Sequence, residues 1–176
     1  ALHDPDDLHA SDLARHAGLA GNDELAARAF VQAGHRCLRL CAHAEGAELA
    51  ERGERPDVLF WVGCMGSFDD RAKKITVAFA RILQACGIRF AILGQEEHCH
   101  GDPARRLGNE YLYQMLAKDT IGTLDRYEVK TIVTSCPHCF HQMGNEFPQL
   151  GGNYEVIHHS TYIERLLQEN LVPLQT

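Results

Sequence analysis

Val58-Leu59-Phe60-Trp61-Val62-Gly63-Cys64 is an unbroken apolar run that ends on a thiol. Short runs of this kind fit strands buried on both faces, as in a parallel sheet. Residues 90–94, 131–135 and 154–158 read as further strands. Helical patterns lie between them. Ile75, Phe79, Ile82 and Leu83 share one face of a helix expected over 69–86, started by Asp69, Asp70 and Arg71 and stopped at Gly87. Asp102 before Pro103 reads as the cap and first turn of a helix through Leu112 and Met115. A short helix is expected over 138–147. Thr161 with Glu164 reads as a capping box opening a last helix over 161–170. The order is β-α-β-α-β-α-β-α. That alternation predicts an α/β fold, a parallel sheet covered by helices on both faces.

Upstream of this unit the chain changes character. Residues 1–55 are rich in Ala, Leu, Glu, Arg and His. Asn22 or Asp23 caps an expected helix to about Arg52, with Leu25, Ala26, Ala29, Phe30 and Ala33 at helical spacing. The expected organisation is a helical arm or docking segment over 1–55 and one domain over 56–176. A length of 176 residues suits one domain plus an appendage. With 17 Lys+Arg against 24 Asp+Glu the net charge is −7, which argues against a nucleic-acid partner. No apolar run approaches the roughly 18 residues of a membrane span. The first residues carry no basic and apolar leader, so no secretory signal is expected. The unusual counts are 7 Cys and 11 His. An odd cysteine number without a secretory signal favours metal or redox chemistry over a disulfide scaffold.

The reactive residues fall at strand ends. Cys64 closes the first strand. His98, Cys99 and His100 follow the second. Cys136 and Cys139 close the third, and His158 and His159 the fourth. In open parallel sheets ligands bind beyond the carboxyl ends of the strands, so one edge receives all of these donors. Thiolates take zinc, copper(I) and iron–sulfur clusters. Cys136-Pro137-His138-Cys139 has the spacing for two sulfurs on one centre, and a helix starting there lowers a thiol pKa. Cys86 reads as a packed core thiol. Cys37 and Cys41, flanked by His35 and His43, stand four apart on the arm and suit packing, a second metal or a partner contact. Gly63, Gly66 and Gly101 are expected to admit close backbone approach to the centre.

Cys64, Cys99-His100-Gly101 and Cys136-Pro137-His138-Cys139, in this order, resemble the cysteine-rich CCG domain. That domain occurs in heterodisulfide reductases and in iron–sulfur subunits of lactate, glycolate and glycerol-3-phosphate oxidising systems. Gly101-Asp102-Pro103-Ala104-Arg105-Arg106, with 61–71, 136–140, 145–148 and 151–159, is similar to its iron–sulfur oxidoreductase branch. The resemblance covers roughly residues 56–172. It implies a Rossmann-like unit and an oxidoreductase component carrying an iron–sulfur cluster, of the [4Fe-4S] kind, held by Cys64, Cys99, Cys136 and Cys139. His100 replaces the second cysteine of the family's pair. A cluster on four thiolates, or one that uses His100, is therefore implied rather than a five-thiolate non-cubane one. His158, His159 and Arg105 are implied to support the centre from behind. The implied partners are a flavoprotein dehydrogenase and a ferredoxin-like or membrane quinone-reducing subunit, within a dehydrogenase or heterodisulfide-reductase-type complex. The implied location is cytoplasmic, peripheral to the inner membrane through such a partner.

Two other chemistries use the same residues. Four Cys/His donors also suit tetrahedral zinc, making a structural docking domain. Cys136-Pro137-His138-Cys139 at a strand-to-helix junction also suits thiol–disulfide exchange.

Overall fold

The computed structural model describes residues 55–173. The helix expected within 1–55, with His35, Cys37, Cys41 and His43, lies outside them. Four strands, β1 (Val58–Trp61), β2 (Phe90–Ala91), β3 (Thr131–Thr134) and β4 (Glu155–His158), form one all-parallel sheet in the order β2-β1-β3-β4. Leu59 stands beside Ile132, and Val133 beside Ile157. The fold is α/β, as the alternation predicts.

Period-two alternation of the strands decides what each face buries. Val58, Phe60 and Val62 point to one side with Val133 and Ile157. There they meet α2 (Asp70–Ala85) through Phe79, Ala80 and Leu83, and α6 (His159–Gln168) through Leu166. Leu59, Trp61 and Ile132 point to the other side. They meet α4 (Glu110–Arg126) through Tyr113, Ala117, Ile121 and Leu124. The segment after β3 adds Cys139, Met143 and Phe147 to this second core. Burying each large apolar side chain stabilises by about 1.5–3 kcal/mol. Cys86 is half-buried and packs on the first core.

Several element boundaries differ from expectation. β2 holds only two residues, and a 3-10 turn (Gly94–Glu96) follows it. The apolar run after β1 turns at once into α1 (Gly63–Phe68), a helix absent from the periodicity because it is short and glycine-rich. Asp69 caps α2 through Arg71 N and Ala72 N, as its position predicts. Ile75, however, is 43% exposed, and Thr76 takes the buried place beside it. The helix expected from Pro103 onward is two helices, α3 (Asp102–Arg106) and α4, broken at Gly108 and recapped by Asn109. Asp102 does not cap α3, since Gly101 holds that position. Leu112 and Met115 lie on the exposed side of α4. After β3 comes α5 (Pro137–His141), then a π turn (Gln142–Glu146) and a 3-10 turn (Phe147–Leu150). The capping box at Thr161 does not form. α6 begins at His159, two residues earlier, with no side-chain cap.

A candidate metal centre at the carboxyl edge of the sheet

The chain visits β2 on one side of β1 and then crosses to β3 on the other. The connections after β1 and β3 therefore part at their carboxyl ends and leave a crevice. A cleft of about 250 Å³ occupies that place, and Cys64, Cys99, Cys136 and Cys139 all line it, with Trp61, Glu97, His100 and Asp102 among the others. The four thiols come from three strand ends, so tertiary structure alone brings them together.

Each thiol is placed by a local device. Cys64 sits in the first turn of α1, immediately after Gly63. Gly63 has φ +74°, and a Cβ there would stand 3.2 Å from Cys139 Sγ, so only glycine fits without strain. The Glu97 carboxylate accepts from the backbone N–H of Val62 at 3.0 Å and of Gly63 at 2.6 Å. That pair of hydrogen bonds ties the Cys99 loop to the Cys64 turn. Burial pushes the Glu97 carboxyl up to about 7 even against these two donors. On the third strand, Thr134 Oγ1 accepts from Cys136 N at 3.3 Å and shapes the turn into α5. Cys136 is the cap residue of α5 and Cys139 lies in its first turn.

The cysteines are not equivalent. Cys64 and Cys99 are exposed, Cys136 is half-buried and Cys139 is 1% exposed. A hydrogen bond from the Cys139 thiol, aided by the backbone N–H groups of Cys139 and His138, holds Cys136 down to about 5. Giving that hydrogen bond, together with burial, pushes Cys139 up. Burial also raises Cys64.

His100 is buried, with Nε2 3.1 Å from Cys139 Sγ. Its Nδ1 faces the backbone N–H of Asp102 at 3.4 Å. A backbone N–H only donates, so Nδ1 accepts, Nε2 carries the proton, and the ring presents a donor to the sulfur. Burial lowers the His100 pKa, against the opposing pull of the Asp102 carboxylate. Behind it lies Asp102, also buried. Its carboxylate accepts from Arg106 Nε and Gln142 Nε2, both at 2.8 Å. Burial works against its charge, but these two donors outweigh it and hold its pKa below the usual range.

The other expected site residues lie elsewhere. Arg105 pairs with Glu146 and covers the Tyr113 ring, and it is not among the cleft-lining residues. His158 bonds Ser160 Oγ through Nδ1 and the Ser135 carbonyl through Nε2. His159 packs edge-on against Phe79. Neither histidine lines the cleft. Gly66 meets Thr76 and Val62, and Gly101 meets Tyr113 and Leu116, so of the three glycines only Gly63 approaches the thiols. Glu97 and Trp61 are the site residues that sequence reasoning misses. Glu97 gives no signal beyond its place near Cys99, and Trp61 is hidden inside the strand run.

Among the described residues no three His, Cys, Asp or Glu side chains come close enough to share one ion. The four thiols line one cleft, and soft donors of this kind suit zinc, copper(I) or an iron–sulfur cluster.

The chain is 46% identical over 121 residues to the "EtfAB:quinone oxidoreductase" of Syntrophomonas wolfei, covering 69% of this chain and 17% of that protein. It is 44% identical over 121 residues to the "Probable iron-sulfur-binding oxidoreductase FadF" of Bacillus subtilis, with the same coverage. It is 28% identical over 125 residues to one subunit of the dihydromethanophenazine:CoB--CoM heterodisulfide reductase of Methanosarcina barkeri, covering 68% of this chain and 30% of that one. The matched part is thus under a fifth of the length of the first two relatives. No solved structure matches significantly. The family model described as "Cysteine-rich domain", CCG, matches residues 58–144. That span runs from the first strand to the turn behind Cys139 and holds all four cleft thiols, and over it the chain belongs to the cysteine-rich CCG domain family.

Proposed function

We propose that this chain is an iron–sulfur electron-transfer domain, holding a [4Fe-4S] cluster on Cys64, Cys99, Cys136 and Cys139. The observation that carries the reading is the convergence of four thiols from three separate strand ends on one cleft. The chain's likeness to proteins named as iron–sulfur and quinone oxidoreductases supports it. When bound, the cluster supplies one-electron transfer. The residues of the chain supply the surroundings that tune it. The Gly63 turn leaves room beside the Cys139 sulfur. His100 Nε2–H donates to that sulfur rather than ligating. Glu97 holds the Cys64 turn through two backbone N–H groups. Asp102 is two residues beyond His100 and fastens α3 to the π turn behind Cys139.

The domain works inside a larger assembly in this reading. It takes electrons from a flavoprotein dehydrogenase and passes them to a ferredoxin-like or quinone-reducing membrane subunit. Residues 1–55 serve as a docking arm. Among the described residues no helix is long and apolar enough to cross a membrane. In this reading the partner supplies the membrane contact.

Anaerobic purification with assay of iron, zinc and acid-labile sulfide tests the reading. The expected result is about four iron and four sulfide per chain. Both should fall when Cys64, Cys99, Cys136 or Cys139 is replaced by serine. One zinc without sulfide overturns it in favour of a structural site. A reversible dithiol couple on Cys136 and Cys139, without iron and insensitive to Cys64→Ser, overturns it in favour of disulfide exchange.

A further inference from the structure

We propose that Trp61 donates its indole N–H to a sulfur of the cluster, and thereby raises the reduction potential of the centre. This rests on the cluster reading above and deepens it.

Trp61 is the only tryptophan of the chain. It ends β1, is 1% exposed, and lines the cleft. Its Nε1 is a donor and cannot accept. That atom is buried and has no hydrogen-bond partner among the described residues. A buried donor left unpaired is costly, and native proteins seldom tolerate one unless something else completes it. Three other buried polar atoms share this condition, Tyr113 Oη, Gln142 Oε1 and His159 Nδ1. None of those residues lines the cleft. Among the described residues, Trp61 alone joins an unpaired buried donor to the wall of the site.

The indole's surroundings name the acceptor. Trp61 Cδ1, the carbon bonded to Nε1, lies 3.9 Å from the point where Gly63 would carry a Cβ. Cys139 Sγ is 3.2 Å from that point and Cys136 Cβ is 3.9 Å from it. The pyrrole edge of the indole therefore stands beside the CysProHisCys turn. His100, another ring lining the cleft, is 6.3 Å from Trp61 between centroids and already donates to Cys139 Sγ. The inner wall thus carries two N–H donors, His100 Nε2–H on Cys139 Sγ and the unpaired Trp61 Nε1–H, while Cys64 and Cys99 hold the exposed rim. The thiolates and sulfides of a bound cluster carry negative charge, and reduction adds to it. Donors fixed against sulfur stabilise the reduced form more than the oxidised one, so the potential rises. Phenylalanine would fill the same apolar space without the N–H, which makes Trp61→Phe the discriminating substitution.

The test uses the full chain, reconstituted anaerobically with iron and sulfide after growth with 15N-indole tryptophan. Because there is one tryptophan, any indole nitrogen signal is assigned without ambiguity. The expected result for Trp61→Phe is unchanged iron and sulfide with a lower midpoint potential. At the wild-type midpoint its reduced-to-oxidised ratio should fall by up to about tenfold, or 59 mV for a one-electron couple. The wild-type paramagnetic state should show a magnetic coupling to the indole nitrogen. An unchanged midpoint at equal cluster content overturns the inference and leaves the cluster reading standing. A wild-type chain that holds no iron and sulfide brings down both. If Trp61→Phe fails to load, the wild-type nitrogen coupling decides: its presence supports the donor role and its absence overturns it.

Discussion

Gly63 carries more constraint than its size suggests. It has φ +74°, donates to Glu97 at 2.6 Å, and faces Cys139 Sγ. Alanine there must adopt a left-handed backbone, at a cost of roughly 1–2 kcal/mol, and its methyl must push on the sulfur. Gly63→Ala should therefore lower the urea midpoint and also reduce iron retention. Stability and iron content both equal to the wild type would remove Gly63 from the site. The sequence marks Gly63 as a place of close backbone approach to the centre, and its position beside the Cys139 sulfur agrees. It marks Gly66 and Gly101 on the same ground, and both instead meet core side chains. A glycine in a motif signals that a Cβ is unwelcome, while the atom that excludes it comes from another element of the fold.

Helix starts show where local chemistry suffices and where it does not. Asp69 accepts from Arg71 N at 3.1 Å and Ala72 N at 2.8 Å and opens α2 where its position predicts. Thr161 with Glu164 has the residue types of a capping box, yet α6 starts at His159 and uses no side-chain cap. The β4 strand feeds directly into the helix, and tertiary packing overrides the later signal. Asp69→Ala should cost about 1 kcal/mol in denaturant unfolding. Thr161→Ala should stay within about 0.5 kcal/mol of the wild type. A large loss at Thr161 would mean that the capping box forms after all. The helix expected from Pro103 breaks through local chemistry instead. Gly108 adopts φ +79°, and Asn109 Oδ1 accepts from Leu112 N to restart the helix as α4.

At the scale of the whole fold, the two cores of the described residues divide by task. The first, under α2 and α6, contains no cleft thiol. The second, under α4, contains buried Cys139 and Trp61 and has Cys136 packed against it. Leu83→Ala in the first core should cost about 2–5 kcal/mol while the folded fraction keeps its iron and its potential. Phe147→Ala in the second should cost about 3–5 kcal/mol and also loosen Cys139, with lost iron or a shifted potential. Equal effects on the centre from both substitutions would show that the cores are not separate in this sense.

The strand-end placement of Cys64, Cys99, Cys136 and Cys139 was legible from the chain alone, because unbroken apolar runs alternating with amphipathic stretches admit few arrangements besides a parallel sheet. Periodicity and turn chemistry are local and survive in one dimension. Strand order is not local. Only the folded sheet put β1 between β2 and β3 and so opened the cleft at that junction. Only packing placed Arg105 on Glu146, and His158 on Ser135 and Ser160, outside the cleft lining. The same packing brought His100 Nε2 to Cys139 Sγ, Glu97 to the Gly63 turn, and the Trp61 indole to the wall. The first two of those contacts join residues more than 30 positions apart, and no spacing rule in the sequence encodes the direction in which such side chains meet.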